Sequence, residues 1–219
     1  RPHPRFDARA APRRRVVERA AGSGFIMSAT DTAFSPAVKA VQARKGSREI
    51  YAGMEMGDTI DDNLAAFIAA RDSFYLASAG ADGQPYIQHR GGPAGFLRVI
   101  DDRTLGFADL RGNRQFISTG NFTENPKAFI FLMDYAHRQR VKIWGRMRVV
   151  EDDPALIASL LPPAGKLRAE AAMLFTITAW DANCPAHIPQ LFPAADVAAV
   201  LAARDARIAA LEAELSTRR

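Results

Sequence analysis

The chain has 219 residues, 48% of them apolar, a single Cys184, and a net charge of +5 with a pI near 9.7. That is enough for one generous domain with a real core, while one cysteine excludes an internal disulfide and no apolar run approaches a membrane span. The charge looks like a polyanion binder's, yet residues 1–26 hold seven arginines against Asp7 and Glu18, so the entire +5 resides there and the remainder is balanced. The body therefore has no general attraction for nucleic acid.

The Arg-rich leader has few serines, little amphipathic order and no apolar core of a secretory signal. It precedes Met27-Ser28-Ala29-Thr30, which reads as an ordinary start, so residues 1–26 are expected to be an extension without a folded role. A transit signal or a basic tether is the alternative. Residues 27–193 are expected to form the main domain and 194–219 a C-terminal helix, in a cytoplasmic protein.

Pro36 opens a helical segment through Arg44, with Val38 and Val41 on one side and Gly46 as its stop. Thr59 or Asp61 can cap the next helix, where Leu64, Phe67 and Ile68 fall at helical spacing. This helical preface is expected to pack against the strand-rich body.

Short strands then dominate: Phe74–Ala79, Pro85–Arg90, Phe96–Ile100, Thr104–Ala108, Ala128–Met133, Val141–Val150 and Ala172–Trp180, punctuated by turns such as Gly80-Ala81-Asp82-Gly83 and Asp101-Asp102. The clearest alternation sets Val141, Ile143, Gly145, Met147 and Val149 against Lys142, Trp144, Arg146 and Arg148. Such spacing predicts a mainly β fold, an antiparallel barrel with peripheral helices, rather than alternating βαβ units. From Ala194 to Leu215 the chain is Ala-rich with Val197, Leu201, Ile208, Leu211 and Leu215 at heptad-like spacing and Arg204 breaking the seam. This predicts an amphipathic helix lying on its own or a partner subunit.

Two stretches carry chemistry. In an extended strand Gln88 and Arg90 share one face, Ile87 and His89 take the other, and Gly91-Gly92 lets a bulky group approach the backbone. In Arg111-Gly112-Asn113-Arg114-Gln115, Gly112 frees the turn, Asn113 is an N-cap type, and Phe116 and Ile117 begin an apolar helical stripe; loose amides between arginines can hold a phosphate. Either stretch taken alone could equally be a solvated strand face or a solvated turn. Cys184 and His187 lie three apart, too few ligands for a metal site. They could form a thiol–imidazole pair, or a packed Cys with His187 facing a substrate, and the latter is preferred.

In order, Gln88-His89-Arg90-Gly91-Gly92, Phe107-Ala108-Asp109, Arg111-Gly112-Asn113-Arg114-Gln115, Asn121-Phe122-Thr123-Glu124-Asn125-Pro126 and Arg140-Val141-Lys142-Ile143-Trp144-Gly145 resemble the pyridoxamine 5'-phosphate oxidase-like family of FMN-binding split barrels, over about residues 60–190. The resemblance implies an antiparallel split barrel and an FMN-dependent oxidoreductase acting on a small molecule. A non-catalytic sensor or electron-transfer module, holding FMN, haem or a deazaflavin, is the alternative.

The same resemblance puts Gln88, His89 and Arg90 at the ribityl chain and ring edge, and Asn113, Arg114 and Gln115 at the phosphate, with Asp109 among the cofactor contacts. Asn and Gln replace the family's usual Ser and Lys, which removes one cation and leaves Arg111 or Arg90 as candidates for the second positive charge. It also implies that Arg140 approaches the flavin ring, that Trp180 is either the family's flavin-side tryptophan or core filling, and that a homodimer completes the site. The family's Arg-x-His-Asp grip on the vitamin phosphate is replaced by Asn183-Cys184-Pro185-Ala186-His187, and no arginine occurs between Arg168 and Arg204. Pyridoxamine 5'-phosphate is therefore not the expected substrate.

Overall fold

The computed structural model describes residues 28–163, 167–183 and 186–217; the Arg-rich leader and Cys184, with the readings attached to them, lie outside the described residues. Three short helices come first: α1 (Ala29–Ala33), α2 (Pro36–Arg44) and α3 (Arg48–Ala52). The first is held by a capping box between Ser28 and Asp31, and Pro36 begins the second at its first turn, where the missing N–H costs nothing. Thr30 Oγ1 donates to the Met54 carbonyl at 3.0 Å and ties α1 to the segment that follows α3. In α4 (Asp62–Ala69), Asp61 rather than Thr59 is the cap, accepting from the Leu64 amide at 2.8 Å, and the helix buries Leu64, Phe67 and Ile68.

The strands are β1 (Ser73–Ala79), β2 (Pro85–Gly91), β3 (Arg98–Val99), β4 (Thr104–Leu110), β5 (Lys127–Asp134), β6 (Gln139–Val150) and β7 (Ala169–Asn183). All pairings are antiparallel, in one seven-stranded sheet of order β2-β1-β5-β6-β7-β4-β3. The sheet curls on itself: Phe74 of β1 meets Phe107 of β4 edge to face at 5.2 Å, although three strands separate them in the hydrogen-bonded order. The edges β2 and β3 are not joined by a ladder, which leaves the barrel split. Its inside is a continuous apolar core that includes Leu76, Leu105, Ile130, Ile143 and Phe175.

Curvature is set where β6 slips register against β7 between Trp144 and Gly145. Gly145 lies so close to the Thr176 carbonyl and the Phe175 ring that a Cβ would overlap both. At the β5–β6 turn, the buried Asp134 carboxylate takes Arg71 Nη2 at 2.9 Å and the His137 amide at 3.0 Å. Burial pushes that carboxyl up, but the His137 amide and the Arg71 charge together outweigh it and hold it below the usual carboxylate range.

The third expected strand shrinks to two residues, because Gly95 turns left-handed (φ 80°) and drives Phe96 and Leu97 into the core instead of along an edge. Two further helices, α5 (Ile117–Glu124) and α6 (Pro154–Leu160), flank the barrel, and α7 (Ala194–Thr217) follows it with every residue exposed. Among the described residues no helix is long and apolar enough to cross a membrane, and no group of three or more His, Cys, Asp or Glu could hold a metal.

Candidate functional site

The alternation of β2 turns Gln88 and Arg90 inward, half-buried, with Ile87 and His89 outward. Opposite them β4 ends in Asp109 and Leu110, and the chain then loops through Arg111–Phe116 into α5. These elements enclose a cleft of about 180 Å³ lined by polar groups of Gln88, Arg90, Asp109, Asn113, Arg114 and Ser118.

The loop does not fold as the sequence predicts. Asn113 spends its Oδ1 on the Gln115 amide (3.2 Å) in a local turn, and its Nδ2 donates to Gln115 Oε1 at 3.3 Å. It therefore cannot cap a helix. Helix α5 begins only at Ile117, and its N-cap position is taken by Phe116 in the left-handed region (φ 51°) with no side-chain cap. Arg114 is left-handed too (φ 58°), with its guanidinium 5.7 Å from the Phe116 ring centre. Two such residues in one loop store backbone strain of a kind that gathers at functional sites. Nor do Phe116 and Ile117 start a buried stripe: both are exposed, and the helix buries Ser118 and Phe122 instead. The first amides of α5 are thus left without a side-chain acceptor at the cleft.

Arg90 pairs with the buried Asp109 across the split and lies over the Phe107 ring at 5.8 Å. Its charge is accordingly spent within the protein, so Arg90 is not a spare cation for a phosphate. Its Nε, however, is buried with no protein partner. A donor so placed is costly unless a ligand or water accepts from it. Ser118 Oγ donates to Gln88 Oε1 at 3.0 Å, which fixes the amide of a side chain that lines the cleft. Arg114 Nε and Arg111 Nε approach Glu170 Oε1 at 3.3 and 3.8 Å, both half-exposed.

Of the sequence-derived residues, Gln88, Arg90, Asp109, Asn113 and Arg114 line the cleft together, while Arg111 and Gln115 belong to its loop. His89 is on the other face of β2, edge-on to Tyr75 at 5.6 Å. Arg140 pairs with Asn183, at the opposite end of β7 from Glu170, and its Nε is also buried without a protein partner. His187 lies just beyond that same end, exposed and left-handed (φ 64°). Trp180 is buried in the core of its own protomer: its ring packs on Gly57 and its Nε1 donates to the Thr59 carbonyl at 2.8 Å.

Sequence reasoning missed Ser118, Thr119 and Glu170. Ser118 stands one helical turn after Arg114, a spacing that could have suggested it; Glu170 arrives only through the pairing of Leu110 with Ala169.

The family model described as pyridoxamine 5'-phosphate oxidase matches residues 60–183. No curated protein sequence matches the chain. Among solved structures, a HupZ variant from Group A Streptococcus is 16% identical, with 57% of this chain and 99% of that one covered and a TM-score of 0.46. A putative pyridoxamine 5'-phosphate oxidase from Lactobacillus delbrueckii is 17% identical (57% and 94% covered, TM-score 0.45). An FMN-binding protein from Syntrophomonas wolfei is 13% identical (66% and 97% covered, TM-score 0.43). At such identities a similar chain course carries nothing about a shared ligand. The family match spans more than half of the sequence and takes in the whole cleft and every strand of the split barrel: the chain belongs to the pyridoxamine 5'-phosphate oxidase family.

Proposed function

We propose that the protein holds FMN non-covalently in this cleft and acts as an FMN-dependent oxidoreductase on a small organic molecule. The observation that carries the reading is a convergence of donors around one space: the uncapped start of α5, the half-exposed guanidiniums of Arg111 and Arg114 that share a single oxygen of Glu170, the Gln88 amide and Arg90. A phosphate dianion suits the first two, since helix amides and arginines both favour negative charge. The polar ribityl chain and the ring edge suit the last two. Bound there, FMN would supply two-electron redox chemistry, and the protein's task would be orientation and electrostatics.

A cleft of about 180 Å³ is small beside the roughly 300–1,000 Å³ of ordinary cofactor sites. The outer face of the sheet also leaves Tyr75 and Ile87 exposed beside half-buried Phe129, Phe131 and Trp144. Both features support a homodimer in which a second copy completes the site. Arg140 and His187, remote from the cleft of their own protomer, would then face the flavin ring and the substrate of the other. With no arginine between Arg168 and Arg204 to bind a second phosphate, the substrate we propose is not pyridoxamine 5'-phosphate.

The test is the absorption spectrum of protein purified from cells, with mass analysis of the released chromophore. Flavin bands and the mass of FMN support the reading; a haem Soret band or a deazaflavin mass replaces the cofactor. Turnover with reduced nicotinamide and an electron acceptor then separates an enzyme from a passive flavin carrier.

A further inference from the structure

The cations of the cleft are balanced from within. Arg90 is matched by Asp109, and Arg111 and Arg114 converge on a single oxygen of Glu170. Three guanidiniums therefore share two carboxylates, where a site made to grip a phosphate dianion permanently would leave its arginines unmatched. Glu170 also lines the cleft, is partly exposed, and makes no ion pair among the described residues except with those two arginines.

We propose that Glu170 is a built-in counter-anion: it occupies the place on Arg111 and Arg114 that a phosphate takes, and so makes the anionic tail of the ligand exchangeable. The inference rests on the reading that a phosphate binds here. An incoming phosphate competes with Glu170 for the same N–H donors and is repelled by its charge, so each binding event includes the displacement of this carboxylate toward solvent. Because the arginines are half-exposed, the competition is moderate and tunes affinity without abolishing it. The opposite role, in which Glu170 merely orients the two arginines, predicts the opposite sign on its removal.

The experiment is a fluorescence-quenching titration of FMN, and of riboflavin in parallel, with full-length wild type and Glu170→Gln, beside thermal melts of both. The variant should bind FMN about three- to tenfold more tightly, as expected for removing one partly screened charge from the phosphate's surroundings. Riboflavin affinity should not change, and the gain should shrink as salt is added. Equal or weaker FMN binding by a variant that melts like wild type overturns the proposal. If FMN binds to neither protein, the cofactor reading itself falls, and this inference falls with it.

Discussion

Truncation of Asp109 to alanine would leave Arg90 charged, nearly buried and without its carboxylate. The two side chains are 13% and 11% exposed, so neither can turn to water without parting β2 from β4. The contact remaining to the guanidinium is the Phe107 ring at 5.8 Å, worth at most a fraction of the lost pair, and its Nε is already unsatisfied. Breaking a buried pair from one side costs about 3–5 kcal/mol; with this slight exposure the lower end applies, about 3 kcal/mol. For a chain of this length that corresponds to a fall in Tm of roughly 6–12 °C. Replacing both partners, Arg90→Met with Asp109→Leu, removes the stranded charge along with the pair and should restore most of the loss. Urea unfolding of wild type, Arg90→Met, Asp109→Leu and the double variant, all without cofactor, closes the cycle, with Asp109→Ala measured beside it. A single-variant cost under about 1 kcal/mol, or a double variant worse than Asp109→Ala, would refute the assignment of this pair as the pin across the split.

Loss of one charged donor in Arg114→Ala should weaken FMN binding by about 1.5–3 kcal/mol, or roughly ten- to a hundredfold, by fluorescence titration; unchanged affinity would mean the phosphate lies elsewhere. Gly145→Ala should cost about 3 kcal/mol or more, because the added methyl meets the Thr176 carbonyl and the Phe175 ring at the β6 bulge. Gly120→Ala, mid-helix in α5 with open space around it, should instead raise the melting temperature through a gain of about 0.5–1 kcal/mol. The lowered Asp134 pKa stabilises the fold above the unfolded carboxyl value of about 3.9, and that contribution fades as pH falls through the folded value. Asp134→Asn should therefore be less stable than wild type at pH 7, with a gap in urea midpoints that narrows below about pH 4.

Where a pattern was local, the sequence displayed it. The alternation from Val141 places Val141, Ile143 and Met147 in the core and Lys142, Arg146 and Arg148 away from it. Pro36 marks a helix start as its first residue and Asp61 marks another as a cap bonded to the amide three residues on. The beginning of β7 was not visible, because Ala169, Ala171 and Ala172 have no strand preference of their own and become strand by pairing with β4. Helix α6 went unforeseen: Asp153 caps it and Pro154 opens it, but at seven residues it is too short to show a period. The same division holds in the cleft. Gln88 and Arg90 share a face by strand geometry alone, whereas the meetings of Arg90 with Asp109 and of Arg114 with Glu170 exist only once the barrel closes. Asn113 misled because cap and turn residues look alike in sequence, and the competing bond to Gln115 decided between them.

The central claim is that a phosphate sits at the turn leading into α5, and comparison of FMN with riboflavin tests it most directly. The two ligands share the ring and the ribityl chain and differ in that one group. Equilibrium titration of the cofactor-free protein should give FMN an advantage of at least about tenfold, the worth of a single charge-assisted bond, that declines with ionic strength. Equal affinities for the two, or no binding of either, would contradict the account.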